Sequence, residues 1–320
     1  GCYAKECWDC DMVRESRRKP LAPEYDLFHR RPDPLHYLHS LEPALTKALL
    51  EKKVIGIAYE TVQFDNGFLP LLAPMSEVAG RMATQVGAQM LTKIEGGMGL
   101  LMGGTAGVQA AHVVILGAGT VGLSAAKVAM GMGARVTILD SNLFRLRQID
   151  DLFGGRIQTL ASNAFNIAAA TKDADLLVGS VLIPGALTPK LVTEAMVKTM
   201  KPGSAIVDVA IDQGGCIEPT AKHGATYHDK PTFKYPVNGG EVVCYSVGNM
   251  PGAVARTSTF TLTNATMPYM VDLANKGWKK ACQDDKALAR GINTYDGKVY
   301  FKGVSDALGY ELHCTCDILK

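Results

Sequence analysis

From Leu35 to about Val254, short apolar runs alternate with stretches whose apolar positions recur every three or four residues. The first pattern belongs to strands buried on both faces and the second to amphipathic helices, so the chain predicts the two in alternation. Leu35-His36-Tyr37-Leu38 predicts a short strand, and Ser40 precedes a helix over 42–53 that sets Leu45, Ala48 and Leu49 on one face. Residues 54–59 predict a buried strand. A helix over 76–93 aligns Val78, Met82, Val86 and Met90, then runs into Gly96-Gly97-Met98-Gly99 and Gly103-Gly104, which predict a flexible or tightly turned loop. From His112 the rhythm is strand, tight turn, helix, strand, with two more buried strands over 175–183 and 204–212. After Val254 it stops; a helix over 266–282 and a hairpin over 291–303 follow. Ahead of Leu35, the charged runs 14–20 and 30–34 show neither period and predict no regular element.

This order predicts an α/β fold: a Rossmann-type doubly wound parallel sheet, plus a second α/β domain built from both chain ends. The expected division is 1–70 for the partial outer domain, 71–254 for the nucleotide domain and 255–320 for the return to the outer domain. Composition narrows the classes. With 320 residues, 47% apolar, 20% charged and a net charge of +2, the chain is neither disordered nor equipped with an electrostatic footprint for nucleic acid. It has no apolar run of about 18 residues and no apolar core in its first ten, so the expectation is neither a membrane span nor a secretory signal, and a cytoplasmic protein. Eight cysteines are too scattered for a disulfide framework. Cys7 and Cys10 have zinc-type spacing that Cys314 and Cys316 would have to complete; reduced cytosolic thiols and no metal are expected instead.

One motif carries chemistry by its context. The strand His112-Val113-Val114-Ile115-Leu116 leads directly into Gly117-Ala118-Gly119-Thr120-Val121-Gly122, then a helix over 123–132 and a strand over 135–139 ending at Asp140. Gly117 permits the tight turn, Gly119 lets a pyrophosphate approach the backbone, and Gly122 lets helix pack on strand. The helix start offers unpaired N–H groups and a positive dipole end to phosphate. Asp140 is placed to accept the adenosine ribose hydroxyls and to repel a 2′-phosphate, so NAD is expected over NADP, with Arg145 and Arg147 the feature that pulls the other way. Asp212 closes the strand over 204–212 beside Gly214-Gly215, either as a carboxylate facing a ligand or as a cap or turn former. His39, with His36 competing, follows the first strand and would suit proton transfer coupled to hydride loss near neutral pH.

Longer blocks point to a family. Tyr59-Glu60-Thr61-Val62-Gln63, the stretch Leu69 to Gly80, the glycine-rich loop through Gly107, the turn at Gly117, Asp150 to Arg156, Val181 to Gly185, Asp208 to Cys216, Asn249-Met250-Pro251-Gly252-Ala253-Val254 and Thr263-Asn264-Ala265-Thr266 resemble the alanine dehydrogenase family, which also holds the transhydrogenase alpha subunit. The resemblance runs from about Leu35 to the C-terminus. It implies reversible oxidation of L-alanine by NAD to pyruvate, ammonia and NADH through an imine, with His39 and Asp212 as the catalytic pair. Together with the turn residues Gly117, Gly119, Thr120, Val121 and Gly122, it implies NAD contacts at Ser76, Asp140, Arg145, Ser162, Val181, Leu182, Val209, Ala210, Ile211, Asp212, Val247, Gly248, Asn249 and Met250. It also implies a homo-hexamer, and that the N-terminal part of the second α/β domain is incomplete. The family's substrate-binding lysine belongs to a Lys-Glu-Pro turn, where this chain has Arg18-Lys19-Pro20, so Arg18 and Lys19 stand for it. The front of the chain has nothing to match the family's carboxylate-gripping arginine, and the stretches around 222–227 and 235–241 look longer than the family's. An alternative therefore stands beside the dehydrogenase: an NAD-binding homologue with an impaired substrate site.

Overall fold

A computed structural model describes residues 42–181 and 188–320, and the backbone of Leu35–His36. In chain order the strands are β1 (Leu35–His36), β2 (Gly56–Ala58), β3 (His112–Leu116), β4 (Arg135–Asp140), β5 (Gln158–Ala161), β6 (Leu176–Gly179), β7 (Ala205–Asp208), β8 (Thr232–Val237), β9 (Gly240–Tyr245), β10 (Ile292–Tyr295) and β11 (Lys298–Val299). The helices are α1 (Pro43–Glu51), α2 (Ala73–Met90), α3 (Thr120–Gly131), α4 (Leu143–Phe153), α5 (Ala164–Asp173), α6 (Glu194–Val197), α7 (Glu218–His223), α8 (Ala255–Asp284), α9 (Lys286–Ala289) and α10 (Lys302–Leu308). The chain forms two compact units, one holding Ser76–Ala255 and the other the described residues before it together with Arg256–Lys320.

The first of these is the doubly wound unit. Its seven-stranded sheet runs β5-β4-β3-β6-β7-β9-β8, and every neighbouring pair is parallel except β8 with β9. All residues of β3, β6 and β7 are buried, as strands covered on both faces must be. Val114, Leu116, Leu139, Leu177 and Ile206 share one core with Ile167 and Val197 from the helical layer. Chain order reverses between β3 and β6, and at such a switch point the carboxyl ends of the strands leave a crevice for a ligand. Local side chains start the helices there: the Asn142 carbonyl oxygen accepts the N–H groups of Phe144 and Arg145, and Asn163 caps α5 in the same manner. The loop after α2 is tightly turned, its amides at Gly97 and Gly99 donating back to the Thr92 and Leu91 carbonyls.

The other unit carries a four-stranded sheet, β1-β2-β10-β11, with β1 parallel to β2 and the rest antiparallel. Its core joins Ile57, Tyr59 and Leu71 to Leu262, Leu273, Leu288 and Ile292.

Several boundaries differ from the sequence expectations, each for a local reason. The strand expected over 204–212 stops at Asp208, whose side chain accepts the Ala210 N–H and bends Val209–Gln213 into a 3-10 turn. Among the described residues, the strand expected over 175–183 pairs at Leu176–Gly179. The helix expected over 266–282 starts at Ala255 and kinks at Gly277, which has a φ of 72°. An antiparallel hairpin, β8 and β9, fills the stretch that looked merely long. The thiol expectation also needs correction, since Cys314 and Cys316 are joined in a disulfide, whereas Cys216, Cys244 and Cys282 are free and buried. Cys7 and Cys10 lie outside the described residues. Among the described residues no cluster of three His, Cys, Asp or Glu could hold a metal, and no helix is long and apolar enough to cross a membrane.

Candidate functional site

The candidate groups of the doubly wound unit gather along the carboxyl ends of its parallel strands. At the centre, the three glycines after β3 do three separate jobs. Gly117 has a φ of +97°, a region open to glycine at no steric cost. A methyl group on Gly122 would stand 1.9 Å from the Gly117 carbonyl oxygen and 2.8 Å from Ser180 Oγ, so only a hydrogen allows α3 to start so close to the strand. A methyl group on Gly119 would meet nothing within 4 Å: the space in front of the turn is open. That open cradle, beside the unpaired N–H groups of the first turn of α3, fits a dinucleotide pyrophosphate.

Two contrasting substitutions follow from those distances. Gly119→Ala is expected to leave the thermal midpoint of the free protein unchanged and to weaken NADH binding about tenfold or more, because the new methyl occupies the cradle alone. Gly122→Ala is expected to cost stability as well, about 1–3 kcal/mol of strain. Fluorescence titration with NADH and thermal melts of both variants check this; equal effects of the two on the melt would overturn the division of labour.

Beside the cradle, the ends of β4 and β5 supply the next polar groups. Asp140 Oδ2 accepts the Ala118 N–H at 2.7 Å, and Oδ1 accepts the Asn142 N–H at 2.8 Å. Each oxygen keeps a second lone-pair direction for a ribose hydroxyl. Arg145 Nε donates to the Ala118 carbonyl at 2.8 Å, which holds its guanidinium against the glycine turn. Ser162 follows β5, its N–H bonded to the Asp140 carbonyl at 2.9 Å. Ser76 lies in the first turn of α2, one turn before Gly80, where a methyl group would stand 2.1 Å from the Val121 carbonyl oxygen. Val181 follows β6, its Cγ2 3.1 Å from the point where a Gly117 methyl would stand.

On the other side of the switch point, β7 leads into the turn that carries Val209, Ala210, Ile211 and Asp212. Asp212 is exposed, and its Oδ2 accepts the Asn249 N–H at 3.2 Å across 37 residues of sequence. A methyl group on Gly248 would approach Asp212 Oδ1 to 2.9 Å, and Asn249 takes the left-handed conformation with a φ of 53°. The structure thus brings Asp212 together with the loop of Val247, Gly248, Asn249 and Met250 after β9. Asp212 is not at a strand end, as expected from sequence, but on the 3-10 turn beyond it.

What fixes that turn is a residue the sequence did not single out. Asp208 is fully buried, and its carboxylate collects the N–H groups of Ala210 (3.2 Å), Cys216 (3.1 Å) and Ile217 (3.2 Å) and the Thr220 hydroxyl (2.6 Å). Burial raises its carboxyl above the ordinary value, against the lowering effect of those donors. The signal was present: one acid closing the apolar run Ala205-Ile206-Val207 is a charge that must be satisfied where it stands. Burial also pushes the Cys216 thiol well up, with help from Asp208, and the Cys244 thiol up to about 12, so neither is a nucleophile near neutral pH. His39, Arg18, Lys19 and Leu182 lie outside the described residues.

A glycine turn after the first strand of a switched parallel sheet, an acid ending the second strand and ligand-facing loops on its carboxyl edge define a doubly wound α/β protein of the Rossmann type. Residues 83–302 match the alanine dehydrogenase/PNT C-terminal domain. The chain is 95% identical over 318 residues to an alanine dehydrogenase of Bilophila wadsworthia, covering 99% of this chain and 84% of that one. An alanine dehydrogenase of Methanococcus maripaludis is 56% identical over 305 residues, covering 95% of this chain and 80% of that one. Among solved structures, an L-alanine dehydrogenase superposes with a TM-score of 0.87 at 45% identity, over 96% of this chain and 83% of that chain. The chain belongs to the alanine dehydrogenase/PNT family.

Proposed function

We propose that the protein is an NAD-dependent alanine dehydrogenase, converting L-alanine, NAD and water to pyruvate, ammonium and NADH, reversibly. The observation that carries this reading is the pairing of the open glycine cradle and Asp140 with Asp212 and Asn249 along one sheet edge. Its support is the presence of that edge in a chain 95% identical to a protein named alanine dehydrogenase.

The residues at the cradle fit the dinucleotide: Gly119 and the start of α3 would hold its pyrophosphate, and Asp140 its adenosine ribose. NAD, when bound, accepts the hydride leaving the substrate α-carbon. The chain must supply everything else. Asp212 is an exposed carboxylate whose Oδ2 accepts the Asn249 N–H, a contact that orients it toward the sheet edge where a proton would be exchanged. In this reading it takes a proton from the substrate nitrogen, or from the water that adds to the imine, and returns one in the reverse direction. By the family resemblance His39 is the second proton-transfer group, and Arg18 and Lys19 are the substrate-binding residues. By the same family resemblance the working form is a homo-hexamer in the cytoplasm.

The test is oxidation of NADH by the purified protein with pyruvate and ammonium, alongside NADH binding followed by fluorescence. Turnover dependent on both substrates, with NADPH far weaker, is the expected result. NADH binding without turnover would overturn the dehydrogenase assignment in favour of a binding protein.

A further inference from the structure

Asp208 holds the Asp212 turn on both sides, through the Ala210 N–H within it and the Cys216 and Ile217 N–H groups beyond it, and ahead of Cys216 lie two glycines, Gly214 with a φ of +89° and Gly215 with a φ of +75°. The Gly214 and Gly215 N–H groups bond back to the Ile211 and Ala210 carbonyls at 2.9 and 3.0 Å, and glycine's wide conformational range leaves the position of the pair to its outside contacts. One side chain takes hold of both. Lys190 Nζ donates to the Gly214 carbonyl at 2.5 Å and to the Gly215 carbonyl at 2.7 Å. The backbone on either side of it follows the same path: the Thr188 N–H donates to the Gln213 carbonyl at 3.0 Å, and the Leu191 and Val192 N–H groups to the Cys216 carbonyl at 2.9 and 3.2 Å. The segment 188–192 is therefore stitched along 213–216, and Lys190 supplies the charge-assisted bonds at the point where that stitching passes the glycine pair. Lys190 is itself exposed and contributes no apolar core, so its contacts are spent on local order and not on global stability.

We propose that Lys190 is a positioning residue for Asp212: its ammonium pins the Gly214-Gly215 hinge and so fixes where the Asp212 carboxylate stands. This rests on Asp212 being the proton-transfer group of the proposed reaction. Displacing a reacting group by about 1 Å costs about a hundredfold in rate, so a freed hinge acts on turnover far more than on binding.

The test compares full-length Lys190→Met and Lys190→Arg with the parent protein. Lys190→Met is expected to speed amide hydrogen exchange in peptides spanning 209–217 about tenfold with the thermal midpoint unchanged, because local opening is released without global unfolding. It is expected to cut kcat about 10- to 100-fold, well beyond any loss of NADH affinity, because the glycine cradle and Asp140 lie outside the turn. Lys190→Arg, whose fork can reach both carbonyls, is expected to restore exchange and kcat. Unchanged exchange in Lys190→Met would overturn the proposal whatever the activity, as would a fall in kcat matched by equal losses in NADH affinity and thermal midpoint. If the parent protein shows no turnover while exchange responds as expected, the dehydrogenase assignment falls and the hinge role of Lys190 stands.

Discussion

Replacing Asp208 with alanine is expected to lower the free energy of unfolding by about 3 kcal/mol, the largest stability effect of any single polar substitution in the doubly wound unit. The carboxylate is 0% exposed and, among the described residues, is the acceptor of both the Cys216 and the Ile217 N–H groups. Each buried donor left without an acceptor costs about 1–3 kcal/mol. Thr220 suffers less, because its hydroxyl also lies 2.8 Å from the Ile217 carbonyl and can turn to it. Part of the loss is offset, since alanine removes a carboxylate that burial disfavours. That offset gives the effect a pH signature. The Asp208 carboxyl is held above its ordinary value, so the folded protein keeps this proton to higher pH than the unfolded chain does. Its contribution is therefore fully present below the unfolded value and declines as pH rises through the raised folded value. The gap between parent and Asp208→Ala should narrow over that window. Urea denaturation of both proteins at a series of pH values measures it, and a gap that widens with pH would show that the donors, not burial, dominate the carboxyl.

The cofactor half of this site was legible in the sequence because its rules are local. Gly117, Gly119 and Gly122 act within one turn of chain, and Asp140 ends the strand next to theirs, so spacing alone locates them. The Asp212 half obeys no local rule. Val209-Ala210-Ile211 has the apolar character of a strand, and only the side chain of Asp208, buried by tertiary packing, bends it into a 3-10 turn. The Asp212 contact with Asn249 spans 37 residues and no periodicity announces it. Lys190 carried no sequence signal either, since a lysine in a polar stretch reads as solvated surface. The β8–β9 hairpin was different. Asn238-Gly239 between the alternating Phe233, Tyr235, Val237 and Val242, Cys244 is a strong two-residue hairpin signal, and reading the stretch as extra loop missed it.

Asp212→Asn is expected to lower kcat about 10²- to 10⁴-fold, the range that a positioned proton-transfer group supplies. The substitution is chosen because it separates the two readings that sequence left open. An asparagine keeps one side-chain oxygen, so it can still accept the Asn249 N–H and preserve the tie between the turn and the loop after β9. It keeps the size of the side chain too, so the close approach of Gly248 to Oδ1 is undisturbed. What it loses is the capacity to take a proton near neutral pH. If Asp212 only shapes the turn, the variant should retain turnover within a few-fold of the parent. If it moves the proton, kcat should collapse far more than NADH affinity falls and the thermal midpoint should hold, because the cradle at Gly119 and the Asp140 contacts lie on other strands. Steady-state rates with pyruvate, ammonium and NADH, read beside an NADH titration of the same preparation, distinguish the outcomes. Asp212→Ala sharpens the comparison: it loses the tie to Asn249 as well, so any further fall in kcat beyond the asparagine variant measures what that hydrogen bond contributes to placing the loop.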